Sequence, residues 1–237
     1  MSPRFIVVVA AAAFASCLSI APAAAQDPPR KPPPPPTRPA STPPPPQSKS
    51  LQIGGFGMLG SMTFTSRDSF DAVLGSHIGV IYGGGARLGL PWGGLFAEVG
   101  AWRFHDSGER VFTYGGSTFP LGITTDVTMT PLEISGGWRF RVRKHPKITP
   151  YVAGGFTSMR YQETSDFSSS TDDVDENFSG YHLFGGAEYK VSKWLGVAGE
   201  AAFTSVPNAI GDAGVSSTFK EDNLGGVSFR FKLTVGR

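Results

Sequence analysis

A period of two constrains this chain more than any other feature. In residues 183–203, "LFGGAEYKVSKWLGVAGEAAF", odd positions carry Leu183, Ala187, Tyr189, Val191, Leu195, Val197, Ala201 and Phe203. Even positions are mostly small or charged, with Glu188 and Glu200 among them. A helix would bring positions three and four apart onto one face, whereas strict alternation builds a strand with two unlike faces. The Ser192-Lys193-Trp194 break makes the stretch a β-hairpin. Only an even index sum keeps both apolar sets on one side of the sheet, so Val191 should face Leu195 across a three-residue connection.

Similar runs recur at about 51–64, 76–90, 94–105, 127–142, 148–161, 181–191, 194–204 and 223–235. Polar segments at 65–75, 106–126, 162–180 and 205–222 alternate with short connections at 91–93, 143–147 and 192–194. Eight antiparallel strands joined alternately by short and long connections form the pattern of an up-and-down transmembrane β-barrel with short periplasmic turns and long exterior loops. An even strand number puts both ends of the barrel in the periplasm. Gly at 31 and Phe at 18 suit such an all-β chain. Lys plus Arg at 21 against Asp plus Glu at 19 leaves no basic excess for a nucleic-acid partner.

The barrel should occupy 51–237, because the chain in front of it has a different character. Residues 1–25 read as a signal peptide. Arg4 precedes the apolar run "FIVVVAAAAFASCLSI", and "APAAAQ" offers a small-residue cleavage site between Ala25 and Gln26. Cys17 leaves with that segment, and the mature chain then has no thiol chemistry. The alternative is that "FASC" acts as a lipoprotein box and leaves Cys17 lipidated. Residues 26–50 form a disordered Pro-rich linker, with 12 prolines in "QDPPRKPPPPPTRPASTPPPPQSKS". Such a segment pairs no backbone amides and extends as polyproline II, reaching roughly 75 Å.

The two faces can be assigned from parity. Even positions from Ile78 to Leu90 are apolar or small, and odd positions Leu95, Ala97, Val99 and Ala101 are apolar. If Leu90 faces Leu95, Arg87 falls directly opposite Glu98 on the other face. That face also carries Glu133, Arg139, Glu188, Glu200, Arg230 and Lys232 among small residues, as a narrow lumen of matched charges would. Arg87, Glu98, Glu133, Arg139, Glu188, Glu200 and Arg230 are the predicted structural site of the barrel interior. Aromatic residues gather near strand ends as interfacial girdles: Trp92, Trp138, Phe140 and Trp194 at the short turns, and Phe104, Tyr161, Tyr181 and Phe203 at the loops. Trp102 and Phe104 share the parity of Glu98, which aims them inward. The apolar phase of 127–142 shifts near Pro131, from Val127 and Met129 to Leu132, Ile134 and Phe140, which predicts a bulge at 129–132.

"TPLEISGGWRFR", the basic turn after it, "ITPYVAGGF" and the final "GGVSFRFKLTV" together resemble the small outer-membrane β-barrel family of the OmpX-like and OmpA transmembrane-domain type. The resemblance covers 51–237. It implies an outer-membrane location and an assembly signal carried by Gly226, Phe229 and Phe231. Leu224 stands where that signal prefers a polar residue, and the chain ends on "TVGR" rather than on an aromatic. Fold resemblance of this kind says little about activity.

Some eight-stranded barrels resemble lipid A deacylases and acyltransferases, which need a His, a Ser and a carboxylate on one lipid-facing rim. "YHLFGGAEY" offers His182 and Glu188, but Phe184 takes the place of the Ser. In "STDDVDENFSG", Asp173, Asp175 and Asn177 alternate as in a calcium loop, yet Phe178 and Phe184 occupy the positions that need Gly and Glu. An eight-stranded lumen is filled by its own side chains, which argues against a general pore. The expectation is a non-enzymatic barrel with a structural or surface-interaction role and no cofactor or metal. Its partners would be outer-membrane lipid and either the cell wall or an extracellular ligand. The alternatives are a lipid-modifying outer-membrane enzyme and a small secreted ligand-binding barrel.

Overall fold

The computed structural model describes residues 51–236 apart from 92, 115–116, 167–172 and 212–213. The signal-peptide and linker readings, Cys17 and the girdle role of Trp92 lie outside the described residues. The strands are β1 (Gln52–Phe64), β2 (Ile78–Gly89), β3 (Leu95–Tyr114), β4 (Ser117–Arg139), β5 (Ile148–Ser165), β6 (Val174–Lys190), β7 (Leu195–Ser205) and β8 (Gly226–Gly236). Two short helices, α1 (Arg67–Leu74) and α2 (Gly214–Phe219), sit in the β1–β2 and β7–β8 connections. Each strand pairs antiparallel with its chain neighbours, and β8 closes on β1.

The ladder fixes the shape. Starting at Gly54, the partners run Arg87, Glu98, Ser135, Gly155, His182, Thr204 and Gly226, and return to β1 at Phe64, ten residues further along. That stagger over eight strands corresponds to a tilt of about 40° and a rise along the barrel axis of about 2.5 Å per residue.

The expected registers hold. Arg87 pairs with Glu98, and the Leu90 amide donates to the Leu95 carbonyl at 2.9 Å. The Val191 amide donates to the Leu195 carbonyl at 3.0 Å across the three-residue turn, with Tyr189 opposite Val197.

Two expectations need correction. Much of 106–126 and 162–180 is strand rather than loop, because β3–β4 and β5–β6 continue as hairpins above the apolar zone. Polar residues such as Ser107, Glu109, Thr124 and Asp126 keep their ladder positions there. Polarity in this chain marks where lipid contact ends, not where pairing ends. The predicted bulge at 129–132 is also absent. One register runs through Met129 and Leu132 against both neighbours. Val127 and Met129 instead point into the barrel at 3% and 0% exposure. The apolar phase shifts because the lumen itself becomes apolar toward the loops. The real irregularity lies higher, between Glu109 and Val111, where residues 121–123 oppose Arg110 alone and Gly122 has a φ of 68°.

Candidate functional site

The interior has two zones. The lower zone, toward the short turns, holds all seven predicted lumen residues, and they join Lys232 in one chain of alternating charge. Arg139 donates to Glu188 at 2.7 Å, and Glu188 also accepts from Arg87 at 2.9 Å. Arg87 donates to Glu98 at 2.8 Å, and Glu98 accepts from Lys232 at 2.7 Å. Lys232 lies 2.8 Å from Glu200, and Glu200 lies 3.6 Å from Arg230. Arg230 ends the chain by donating twice to Glu133, at 2.9 and 3.0 Å, and the Trp102 indole donates to the same carboxylate at 2.8 Å. Cations and anions balance. That balance matters, because a buried charge is tolerated only when it is paired.

Aromatic faces insulate the chain. Arg87 lies 5.1 Å from the ring centres of both Phe96 and Tyr151, and Lys232 lies 4.4 Å from that of Phe56 and 4.8 Å from that of Phe184. The Tyr151 hydroxyl donates to Glu200 at 3.1 Å. Sequence parity placed these residues on one face. It did not reveal that Glu188 on β6 would reach Arg87 on β2, because strand patterns report neighbours and not opposite walls.

The upper zone is an apolar plug of Met62, Phe64, Ile81, Trp102, Phe104, Val127, Met129, Met159 and Leu224. Gly79 leaves the space that the Phe104 ring fills; a Cβ there would collide with it. Phe70 of α1 is folded inward and stacks on Phe64 with ring centres 4.1 Å apart. The lid over the plug is tied down by loop residues. The Glu221 carboxylate accepts from the Asp68 and Ser69 amides at 3.1 and 2.9 Å, satisfying donors at the N-terminus of α1. The Asn223 side chain accepts from the Val206 and Gly225 amides. With this plug and the charge chain below it, the barrel holds no open channel along its described length.

The expected girdle is confirmed in part. Trp138, Phe140, Trp194, Tyr181 and Phe203 are exposed on the outside, but Phe104 is buried in the plug and Tyr161 packs against it. Both corrected residues have inward parity, and their nearness to the loops misled the girdle reading. Between the girdles the exterior is continuously apolar, with Leu59, Val80, Val99, Ile134, Phe156, Leu183, Phe229 and Leu233 all exposed. On β8 this face runs from Val227 to Val235, a height of about 20 Å and close to the apolar band of a membrane barrel. Water would not tolerate so large an apolar surface on a monomer. The barrel is therefore a transmembrane one.

His182 is not on a lipid-facing rim. It is fully buried inside, with Nε2 2.7 Å from the Ser135 hydroxyl and Nδ1 2.8 Å from the Thr157 hydroxyl. The Ser that the sequence lacked at 184 is thus supplied by β4, but within the buried interior, where the pair spans β4 and β6. Asp175 is held by Arg160 at 2.8 and 2.6 Å on the outer face of β5–β6. No cluster of metal-ligating side chains occurs among the described residues.

The chain is similar to small outer-membrane β-barrels of known structure. Neisserial surface protein A aligns with 14% identity over 78% of this chain and 95% of its own, with a TM-score of 0.48. The N-terminal β-barrel domain of Pseudomonas aeruginosa OprF aligns with 11% identity over 80% of this chain and 98% of its own, with a TM-score of 0.42. Ail, the attachment invasion locus protein of Yersinia pestis, aligns with 9% identity over 79% of this chain and 97% of its own, with a TM-score of 0.46. No family model matches the chain, and no curated protein matches it. The resemblance to OmpX-like and OmpA-type barrels holds at the level of architecture: eight antiparallel strands in up-and-down order, closed on themselves, with short turns at one end.

Proposed function

We propose that this protein is a non-enzymatic outer-membrane barrel whose role is structural or surface-interacting. The observation that carries the reading is the combination of a lipid-compatible exterior with a sealed interior whose charges are paired. A catalytic barrel needs reactive groups on a surface the substrate can reach. Among the described residues, the one Ser–His hydrogen bond, Ser135 to His182, is buried between strands. A porin needs a wetted lumen, and this one is filled.

The loop end is read as facing the cell exterior and the short-turn end as facing the periplasm. Both ends of the barrel, Gln52 and Gly236, lie on the short-turn side, as in an exported barrel whose N-terminal linker stays inside. Charge supports the same polarity. Every exposed carboxylate among the described residues lies at the loop end, whereas the short-turn end carries Arg141, Arg143, Lys144, Lys147, Lys190 and Lys193. This basic rim suits contact with anionic headgroups or an anionic cell-wall polymer. Outer-membrane lipid is the obligatory partner.

The testing experiment is fractionation with gel mobility. The protein should enter the outer-membrane fraction, require detergent for extraction, and migrate differently before and after boiling. Release into the soluble periplasm would refute the membrane reading. Altered lipid A mass in cells that express the protein would refute the non-enzymatic one.

A further inference from the structure

The loop end holds a cleft. It measures about 380 Å³, within the range of small-molecule sites. Its floor is apolar, with Phe70 and Val73 of α1, Val111 of β3, Phe178 of β6 and Ile210 of the β7–β8 connection. The Glu163 and Glu176 carboxylates sit on neighbouring strands at one side, and Arg110 is the single cation lining it among the described residues. Glu163 accepts a hydrogen bond from the Tyr161 hydroxyl at 3.0 Å, and no ion pair reaches Glu163 or Glu176 among the described residues.

Apolar walls and a surplus of negative charge define the complementary molecule.

We propose that this cleft binds an amphipathic organic cation: an apolar body of aromatic size carrying an ammonium group. The body lies over Phe70 and Phe178, and the ammonium meets Glu163 and Glu176. Organic anions of the same shape meet two carboxylates and are turned away. The inference goes beyond the surface role proposed above, because it holds whichever compartment the loop end faces.

The test uses the full mature chain in zwitterionic lipid nanodiscs, with empty nanodiscs subtracted, and 4-phenylbutylammonium and 4-phenylbutyrate as probes. Saturation-transfer NMR and calorimetry should show saturable one-site binding of the ammonium and none of the carboxylate. Glu163→Gln combined with Glu176→Gln should weaken the ammonium by about tenfold or more, because both charge-assisted contacts are lost. Val111→Trp, which fills the cleft and leaves its charge alone, should abolish binding. Heat-modifiable mobility reports whether each variant folds. Equal binding of the two probes to the wild-type chain, or binding of neither, overturns the proposal and needs no variant. Unchanged affinity in the folded double variant also overturns it.

Discussion

Replacing Glu133 by Gln tests whether the lumen charges act as a set. Glu133 accepts two hydrogen bonds from Arg230, at 2.9 and 3.0 Å, and one from the Trp102 indole. Both charged residues are almost fully buried, at 6% and 3% exposure. The substitution keeps the shape and an acceptor for Trp102 but removes the charge. Arg230 is then left with Glu200 at 3.6 Å. Stranding a buried ion in this way costs about 3–5 kcal/mol. Arg230→Met strands Glu133 instead, at a similar cost. Combining the two removes both charges together and should return the barrel to within about 2 kcal/mol of the wild type, since neither buried charge is then left without its partner. The coupling between the sites should therefore exceed about 3 kcal/mol. Reversible urea unfolding in lipid vesicles gives the four stabilities, with Trp102 fluorescence reporting on the site itself. As a control, the exposed Arg160–Asp175 pair should show no resolvable coupling. Additivity of the two lumen substitutions within about 0.5 kcal/mol would refute the paired-set argument.

The lipid face can be read with native fluorophores. In single-tryptophan variants, Trp138 and Trp194 should be quenched by brominated lipid and Trp102 should not; quenching of Trp102 would contradict a sealed lumen. Ala201→Arg, near mid-depth on the same face, should destabilise the folded barrel by roughly 2–4 kcal/mol, while Lys193→Arg in the turn leaves its unfolding midpoint unchanged. A chain beginning near Ser48 should refold with full β content, and loss of its heat-modifiable band would show that the proline segment takes part in the fold. Above the apolar zone, the hydrogen bonds from Arg160 hold the Asp175 carboxyl below the usual carboxylate range. A lowered pKa in the folded state adds stability above about pH 4 that is lost as pH falls through the lowered value. Hydrogen exchange in the outer rungs of β5–β6 should rise only in that acid window, and Asp175→Asn should abolish the dependence.

Much of the barrel is legible in single residues. The parity of Leu183 through Phe203 gave the lipid face, and the spacing of Leu90 and Leu95 gave the Arg87–Glu98 register. What stayed hidden has a physical cause in each case. Val127 and Met129 looked like lipid-facing residues that had slipped, because an apolar residue reads alike whether it meets lipid or an apolar plug. The upper hairpins looked like loops because ladder bonds leave no mark on composition once the side chains are wet. Phe70 gave no sign that α1 would fold back over the mouth. The partnership of His182 with Ser135 and Thr157 crosses three strands, and no local pattern encodes such a distance. The upper cleft was equally invisible, since its walls come from β3, β5, β6, α1 and the β7–β8 connection.

The closed ladder resists pulling neighbouring strands apart, but each strand can hinge against the next. A hinged ring of eight members flattens easily under lateral pressure. Two links of the charge chain oppose this, because they cross the ring between walls four strands apart: Glu188 on β6 to Arg87 on β2, and Glu133 on β4 to Arg230 on β8. Two diameters braced in this way turn a collapsible hoop into a stiff one. Roundness in this protein is then a property of its salt bridges rather than of its sheet. A barrel stripped of both struts would keep every backbone hydrogen bond and still become oval, and its girdle tryptophans would no longer lie on one circle.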